Sequence, residues 1–165
     1  LNQVGFPVTR SDIAYPVAAA DLLGDSKLEI VAYGQNDSLY VIESDGTIAP
    51  GFPVYIGYTT MGPAIADVDN DGQKEIVIAQ RSDGIIKIIE NDGTLDLNKQ
   101  IDEQIRGNIS LGNLDSDADL EIVFGTMDKK VHVMNIDGTE LPNFPVTYNS
   151  QIDQGIAIGD VAGDA

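Results

Sequence analysis

This chain contains no cysteine, so it has no disulfide framework and no thiolate to serve as nucleophile or soft-metal ligand. Tryptophan is also absent, and a single histidine, His132, stands alone. That leaves no imidazole pair for a zinc constellation. No apolar run approaches the ~20 residues that a membrane helix needs, and no window shows a helical period bounded by caps. Bases are scarce: 9 Lys and Arg face 27 Asp and Glu, for a formal charge of -18 over 165 residues. Such a field repels phosphate backbones and anionic lipid, which argues against nucleic acid as a partner and against direct membrane insertion. The N-terminus, Leu1-Asn2-Gln3-Val4-Gly5, shows no start methionine, basic region or signal-type apolar core, so the chain is expected to be a piece of something longer.

What the sequence has is repetition. Asp21, Asp67, Asn113 and Asp160 open equivalent acidic loops at spacings of 46, 46 and 47 residues. Phe6-Pro7-Val8, Phe52-Pro53-Val54 and Phe144-Pro145-Val146 keep the same register, and Asn98-Lys99-Gln100 replaces the intermediate copy. The turn Asp-Gly-Thr recurs at Asp45, Asp92 and Asp137. Within one period the pattern reads strand, acidic loop, strand, short turn, strand, Asp-Gly turn, strand. In the second repeat the strands are expected at Ala64 to Ala66, Glu75 to Gln80, Ile85 to Asn91 and Leu95 to Ile101. They are short, rich in Ile and Val, and punctuated by strong hairpin signals. Near-continuous apolar runs such as Ile76 to Ala79 suggest sheets covered on both faces.

Four strands in a period of ~45 residues is the signature of a propeller blade. The expected fold is all-β: a β-propeller of four-stranded antiparallel blades, about three of them present, as a partial propeller cut from a larger one. Residues 1–10 read as the outer strand of a preceding blade, 13–58, 59–104 and 105–150 as blades, and 152–165 as the inner strand of a truncated blade. Proline cannot donate to a ladder, so the Phe-Pro-Val strand belongs at the outer edge. Its phenylalanines pack between blades rather than stack on a ligand. Blade faces left open by the arc would be covered by self-association.

The acidic loops carry the chemistry. In Asp67-Val68-Asp69-Asn70-Asp71-Gly72-Gln73-Lys74-Glu75, carboxylates alternate at loop positions 1, 3 and 5, glycine permits a turn at 6, and an acid sits at 9 where a strand begins. Side-chain oxygens of Asp67, Asp69, Asp71 and Glu75, with the Gln73 carbonyl, make an oxygen cage for a hard cation, calcium rather than the more exacting magnesium. An EF-hand also begins in this way, but it requires glutamate at position 12, where Ile78 stands. The third repeat offers Asn113, Asp115, Asp117 and Glu121, with Asp119 at the carbonyl position and Ala118 in place of the glycine. The first loop, with Leu23 at position 3 and Lys27 at position 7, is expected to bind no metal.

Asp67-Val68-Asp69-Asn70-Asp71-Gly72, followed by Glu75-Ile76-Val77-Ile78, resembles the FG-GAP or VCBS repeat, the calcium-loop blade of integrin-alpha-type β-propellers. The resemblance implies a propeller of about seven blades, structural calcium in the loop between a blade's first two strands, and a secreted or cell-surface location. Two features depart from the pattern. Ile65-Ala66 and Leu111-Gly112 stand where the name-giving aromatic-glycine pair belongs, and the first loop is degenerate. The Gly5-Phe6-Pro7-Val8 and Gly51-Phe52-Pro53-Val54 variant is similar to versions in large secreted bacterial proteins.

Catalytic signals are thin. His132 lies in an apolar strand without a partner histidine, and Ser110 and Ser150 have no base at a recognisable spacing. The leading functional expectation is a non-catalytic, calcium-binding scaffold, adhesion or ligand-binding module with a protein or glycan as ligand. The alternative is part of a polysaccharide-active propeller, lyase-like or lectin-like. Against the lyase, the inner strands expected to line the channel offer no histidine or basic residue, although Arg106 lies close by.

Overall fold

The computed structural model describes residues 5, 6, 8 and 13–159. Among the described residues twelve strands form three four-stranded antiparallel sheets, each a simple up-and-down meander. The first sheet holds β1 (Ile13–Ala20), β2 (Glu29–Gly34), β3 (Ser38–Ile42) and β4 (Val54–Tyr55). The second holds β5 (Ala64–Ala66), β6 (Glu75–Gln80), β7 (Ile85–Ile89) and β8 (Leu95–Gln100). The third holds β9 (Ser110–Gly112), β10 (Glu121–Gly125), β11 (Lys130–Met134) and β12 (Val146–Thr147). The first strands of successive sheets lie side by side, β1 beside β5 and β5 beside β9. This is a partial β-propeller, three blades in an open arc.

The sheets hold together by their side-chain alternation. Successive residues of a strand point to opposite faces, and in β6 both faces are covered. Ile76 and Ile78 pack with Leu22, Val31, Tyr33 and Leu39 of the first blade. Val77 and Ala79 pack with Ile122, Phe124 and Met134 of the third. Burying one such Ile or Val side chain favours the folded chain by about 1.5–3 kcal/mol, so the middle blade is clamped from both sides. Phe52 packs into the core shared by the first two blades, and Phe144 packs on the outer face of the third.

The Asp-Gly-Thr turns close the hairpins between each blade's third strand and the chain leading to its fourth. In each, the aspartate Oδ1 accepts both the backbone N–H and the hydroxyl of the threonine two residues on, at 2.6–2.9 Å. These bonds hold the Asp45, Asp92 and Asp137 carboxyls below the usual carboxylate range. The turn has a second use. Gly51, at φ +86°, lies against the Asp92 carbonyl of the next blade so closely that an added Cβ would sit 1.8 Å from that oxygen. Gly5 approaches the Asp45 carbonyl in the same way. The glycine of each Gly-Phe-Pro-Val segment therefore touches the Asp-Gly-Thr turn of the following blade, at Asp45 and at Asp92.

Two expectations meet the edges of the described region. The outer strand expected over 1–10 lies largely outside the described residues, and residues 5, 6 and 8 join no ladder. Residues 152–159 form no ladder either, and 160–165 lie outside the described residues. The segment instead runs alongside β9. The Ser110 hydroxyl donates to the Ile156 carbonyl, Ile158 packs on Gly112, and the Ile152 N–H reaches the Thr126 carbonyl at 3.4 Å.

Candidate metal centre

The three acidic loops among the described residues link the first and second strands of their blades and are shaped by their own side chains. In the second loop the Gly72 N–H donates to Asp67 Oδ2 at 3.0 Å, the Asp71 N–H to Asp69 Oδ1 at 3.2 Å, and the Gln73 N–H to Asp71 Oδ1 at 2.7 Å. Each aspartate thus folds the chain back on itself. Asn70 and Gly72, at positions 4 and 6, take φ of 57° and 95°, the left-handed region that glycine and asparagine tolerate best. The result gathers one carboxylate oxygen from each of Asp67, Asp69 and Asp71 within 4.8 Å of one another.

Glu75 takes a separate place. Its Oε2 accepts the Val68 N–H at 2.7 Å, and it is 1% exposed. Burial, with the nearby Asp69, Glu90 and Asp67 carboxylates, pushes its carboxyl up to about 7. The same strap recurs: Glu29 Oε2 accepts from Leu22 and Leu23, and Glu121 Oε2 from Leu114. The glutamate at position 9 therefore ties position 2 of its loop to the start of the following strand. Gln73 bends its side chain onto Asp71 Oδ2 at 3.1 Å and receives Asn91 Nδ2 at 3.0 Å.

The third loop is built differently. Ala118 occupies position 6, and neither it nor Ser116 at position 4 takes a positive φ. Asn113 turns its amide to donate to the Asp117 carbonyl at 2.7 Å, while the Asp117 and Asp119 N–H groups bond Asp115 and Asp117. The group that converges here is Asp115, Asp117 and Glu121. Burial, and then Asp115 and Asp117, raise the Glu121 carboxyl. The second loop therefore draws in its position 1 acid, and the third its position 9 acid.

Both groups fit a hard cation. The donors are oxygens throughout, the choice of calcium or magnesium rather than a soft metal. In the second loop Asp67 Oδ1 and Glu75 Oε1 are buried without a hydrogen-bond partner, a costly state unless something charged or polar answers them. An orphaned oxygen alone is not enough, because Asp21 Oδ1 in the first loop is in the same state. There, however, Leu23 replaces the second carboxylate. The Lys27 ammonium sits on Asp25 Oδ2 at 2.6 Å, and Lys74 of the second loop donates to the Asp21 carbonyl at 3.0 Å.

The other singled-out residues fall elsewhere. His132 stacks flat on Phe124, with ring centroids 4.8 Å apart and planes at 2°. Its Nδ1 lies 2.6 Å from Glu140 Oε1. Arg106 bonds Gln104 at 3.1 Å.

Residues 21–78 match the family model described as an FG-GAP-like repeat. Over that stretch the chain is similar to an FG-GAP-like repeat. The matched stretch starts at the first acidic loop and ends in β6, so it takes in both the degenerate loop and the complete one. No curated protein sequence matches the chain. Among solved structures the chain is similar to BBS1N in complex with ARL6DN. In a lead-soaked crystal the identity is 17% over 88% of this chain and 44% of that one, with a TM-score of 0.62. In a mercury-soaked crystal it is 14% over 87% and 47%, with a TM-score of 0.63. A weaker likeness, TM-score 0.41 at 22% identity over 81% of this chain and 28% of that one, is to the V. cholerae biofilm matrix protein Bap1. The chain spans less than half the length of these solved chains. At such identities the likeness to BBS1N speaks for the fold alone. No helix among the described residues is long and apolar enough to cross a membrane.

Three features escaped the sequence reading: the division of labour at position 9, the latch between Gly51 and Asp92, and the bonds between neighbouring loops.

Proposed function

We infer that this repeat-propeller segment is a non-catalytic binding or scaffold module of a longer secreted or surface-exposed protein, stiffened by structural calcium in its second and third acidic loops. The observation that carries the reading is the convergence of Asp67, Asp69 and Asp71 around the buried, unanswered Asp67 Oδ1. A cation there would screen carboxylates that otherwise repel one another and fix the passage from β5 to β6. Asp67, Asp69 and Asp71 would hold it in the second loop, and Asp115, Asp117 and Glu121 in the third. Ligand recognition, of protein or glycan, would use loops at the faces of the arc. The outer face of the first blade, where Val17 and Leu28 are more than half exposed, suits self-association.

Differential scanning calorimetry with calcium and with chelator tests the metal. A ligand at about 1,000 times its Kd stabilises by about 4 kcal/mol, which for a domain of this size is a rise in Tm of roughly 10 °C. An identical melting curve in calcium and chelator overturns the assignment.

A further inference from the structure

Neighbouring loops are joined by bonds that belong to neither cage. The Leu120 N–H, at position 8 of the third loop, donates to the Val68 carbonyl, at position 2 of the second, at 2.8 Å. The N–H of the same Val68 donates to Glu75 at 2.7 Å. Leu120 is the immediate neighbour of Glu121, which belongs to the third loop's carboxylate group. A short path therefore runs from one cage to the other: Glu121, the Leu120 amide, the Val68 carbonyl, and Asp67 next to it in the chain.

Burial marks the same link. Leu22 and Val68 at position 2 are each 1% exposed, covered by the next blade, while Leu114 in the third loop is 44% exposed. Lys74, at position 8 of the second loop, reaches the Asp21 carbonyl of the first through its side chain. Position 8 thus grips the preceding loop at both joints. Between the first two loops the grip ends on a loop filled by the chain's own lysine. Between the second and third it joins two loops that each converge three carboxylates.

We propose that Val68 is a positioning residue shared by two calcium sites, so that a cation in either loop raises the affinity of the other. This rests on the calcium reading above. Ordering the second loop around a cation held by Asp67 fixes Val68, the next residue in the chain, which Glu75 already straps at its N–H. The third loop then meets a fixed acceptor for Leu120, and less freedom remains to be lost when Glu121 takes up its own cation. By linkage the effect is equal in both directions.

The test is calcium titration by calorimetry on the full chain and on two variants that each disable one cage, Asp69→Asn with Asp71→Asn and Asp115→Asn with Asp117→Asn. Each surviving site should bind about fivefold more weakly than it does in the unaltered chain, the low end of common coupling. Leu120→Pro removes the bridging donor and keeps every carboxylate; its two sites should bind as weakly as the isolated ones and show no mutual effect. Should that variant fold poorly, Val68→Gly loosens the same link from the other side, and it should give the same loss of mutual effect. Two sites whose affinities ignore each other's presence overturn the coupling and leave the calcium reading intact. Absence of any binding overturns both.

Discussion

The first and second acidic loops share a backbone and differ in what fills it. Both take positive φ at positions 4 and 6, through Gly24 and Ser26 in one and Asn70 and Gly72 in the other. Both bond the position 6 N–H to the first aspartate, at 3.1 and 3.0 Å, and the position 7 N–H to the aspartate at 5, at 2.9 and 2.7 Å. Both strap position 2 to the glutamate at 9. Loop shape therefore does not depend on a full set of metal ligands. Positions 3 and 7 separate the two. Asp69 and Gln73 leave the second cage open, whereas Leu23 removes a ligand from the first and Lys27 supplies an ammonium group. The Lys27–Asp25 bond favours the charged form of each partner. One loop carries an ammonium group on a covalent stem, and the other brings three carboxylates together with no such partner among its own residues.

That contrast can be broken in several ways. Replacing Asp69 and Asp71 together by alanine should remove the second loop's share of the calcium-dependent rise in Tm, while Asp25→Ala in the first loop should leave it whole. Equal losses in both variants would erase the distinction. Converting the first loop with Leu23→Asp and Lys27→Ser should add one calcium equivalent in a calorimetric titration. An unchanged stoichiometry would mean that positions 3 and 7 do not decide. In the third loop, Ala118→Gly should restore access to positive φ at position 6. A left-handed residue costs an L-amino acid about 1–2 kcal/mol, of which glycine returns part, so calcium should bind about fivefold more tightly there; weaker binding would show that its present turn is the better cage. The smallest effect is expected from Lys74→Met, which removes the bond to the Asp21 carbonyl. Stability should fall by no more than about 1 kcal/mol, with calcium affinity of the second loop unchanged.

The strands were legible because their signals are local and repeated. Ile76 to Ala79 reads as a doubly covered strand and is one, and the Asp-Gly-Thr turns stand where the hairpins close. The convergence of Asp67, Asp69 and Asp71 was legible for the same reason, since alternate aspartates fold back on their own amides. What Glu75 and Glu121 do was not legible. Both stand at position 9, yet only Glu121 joins the converging carboxylates, and the two loops also differ in their φ angles at positions 4 and 6. Nor did the spacing reveal the bond from Leu120 to Val68, because it joins residues brought together only when one blade packs on the next.

The close approach of Gly51 to Asp92 has a consequence for how such an arc can be rearranged. The joint between the first two blades is a lock with its halves on different blades, and a methyl group is enough to jam it. At the next joint the parts are reversed. Leu97 and Lys99 lie against Gly138, so side chains of the second blade fit over a bare turn on the third. Blades with unlike joints cannot be shuffled freely. A spliced-in copy would have to bring a matching half at each end, which makes the portable unit of this chain the seam between blades rather than the blade.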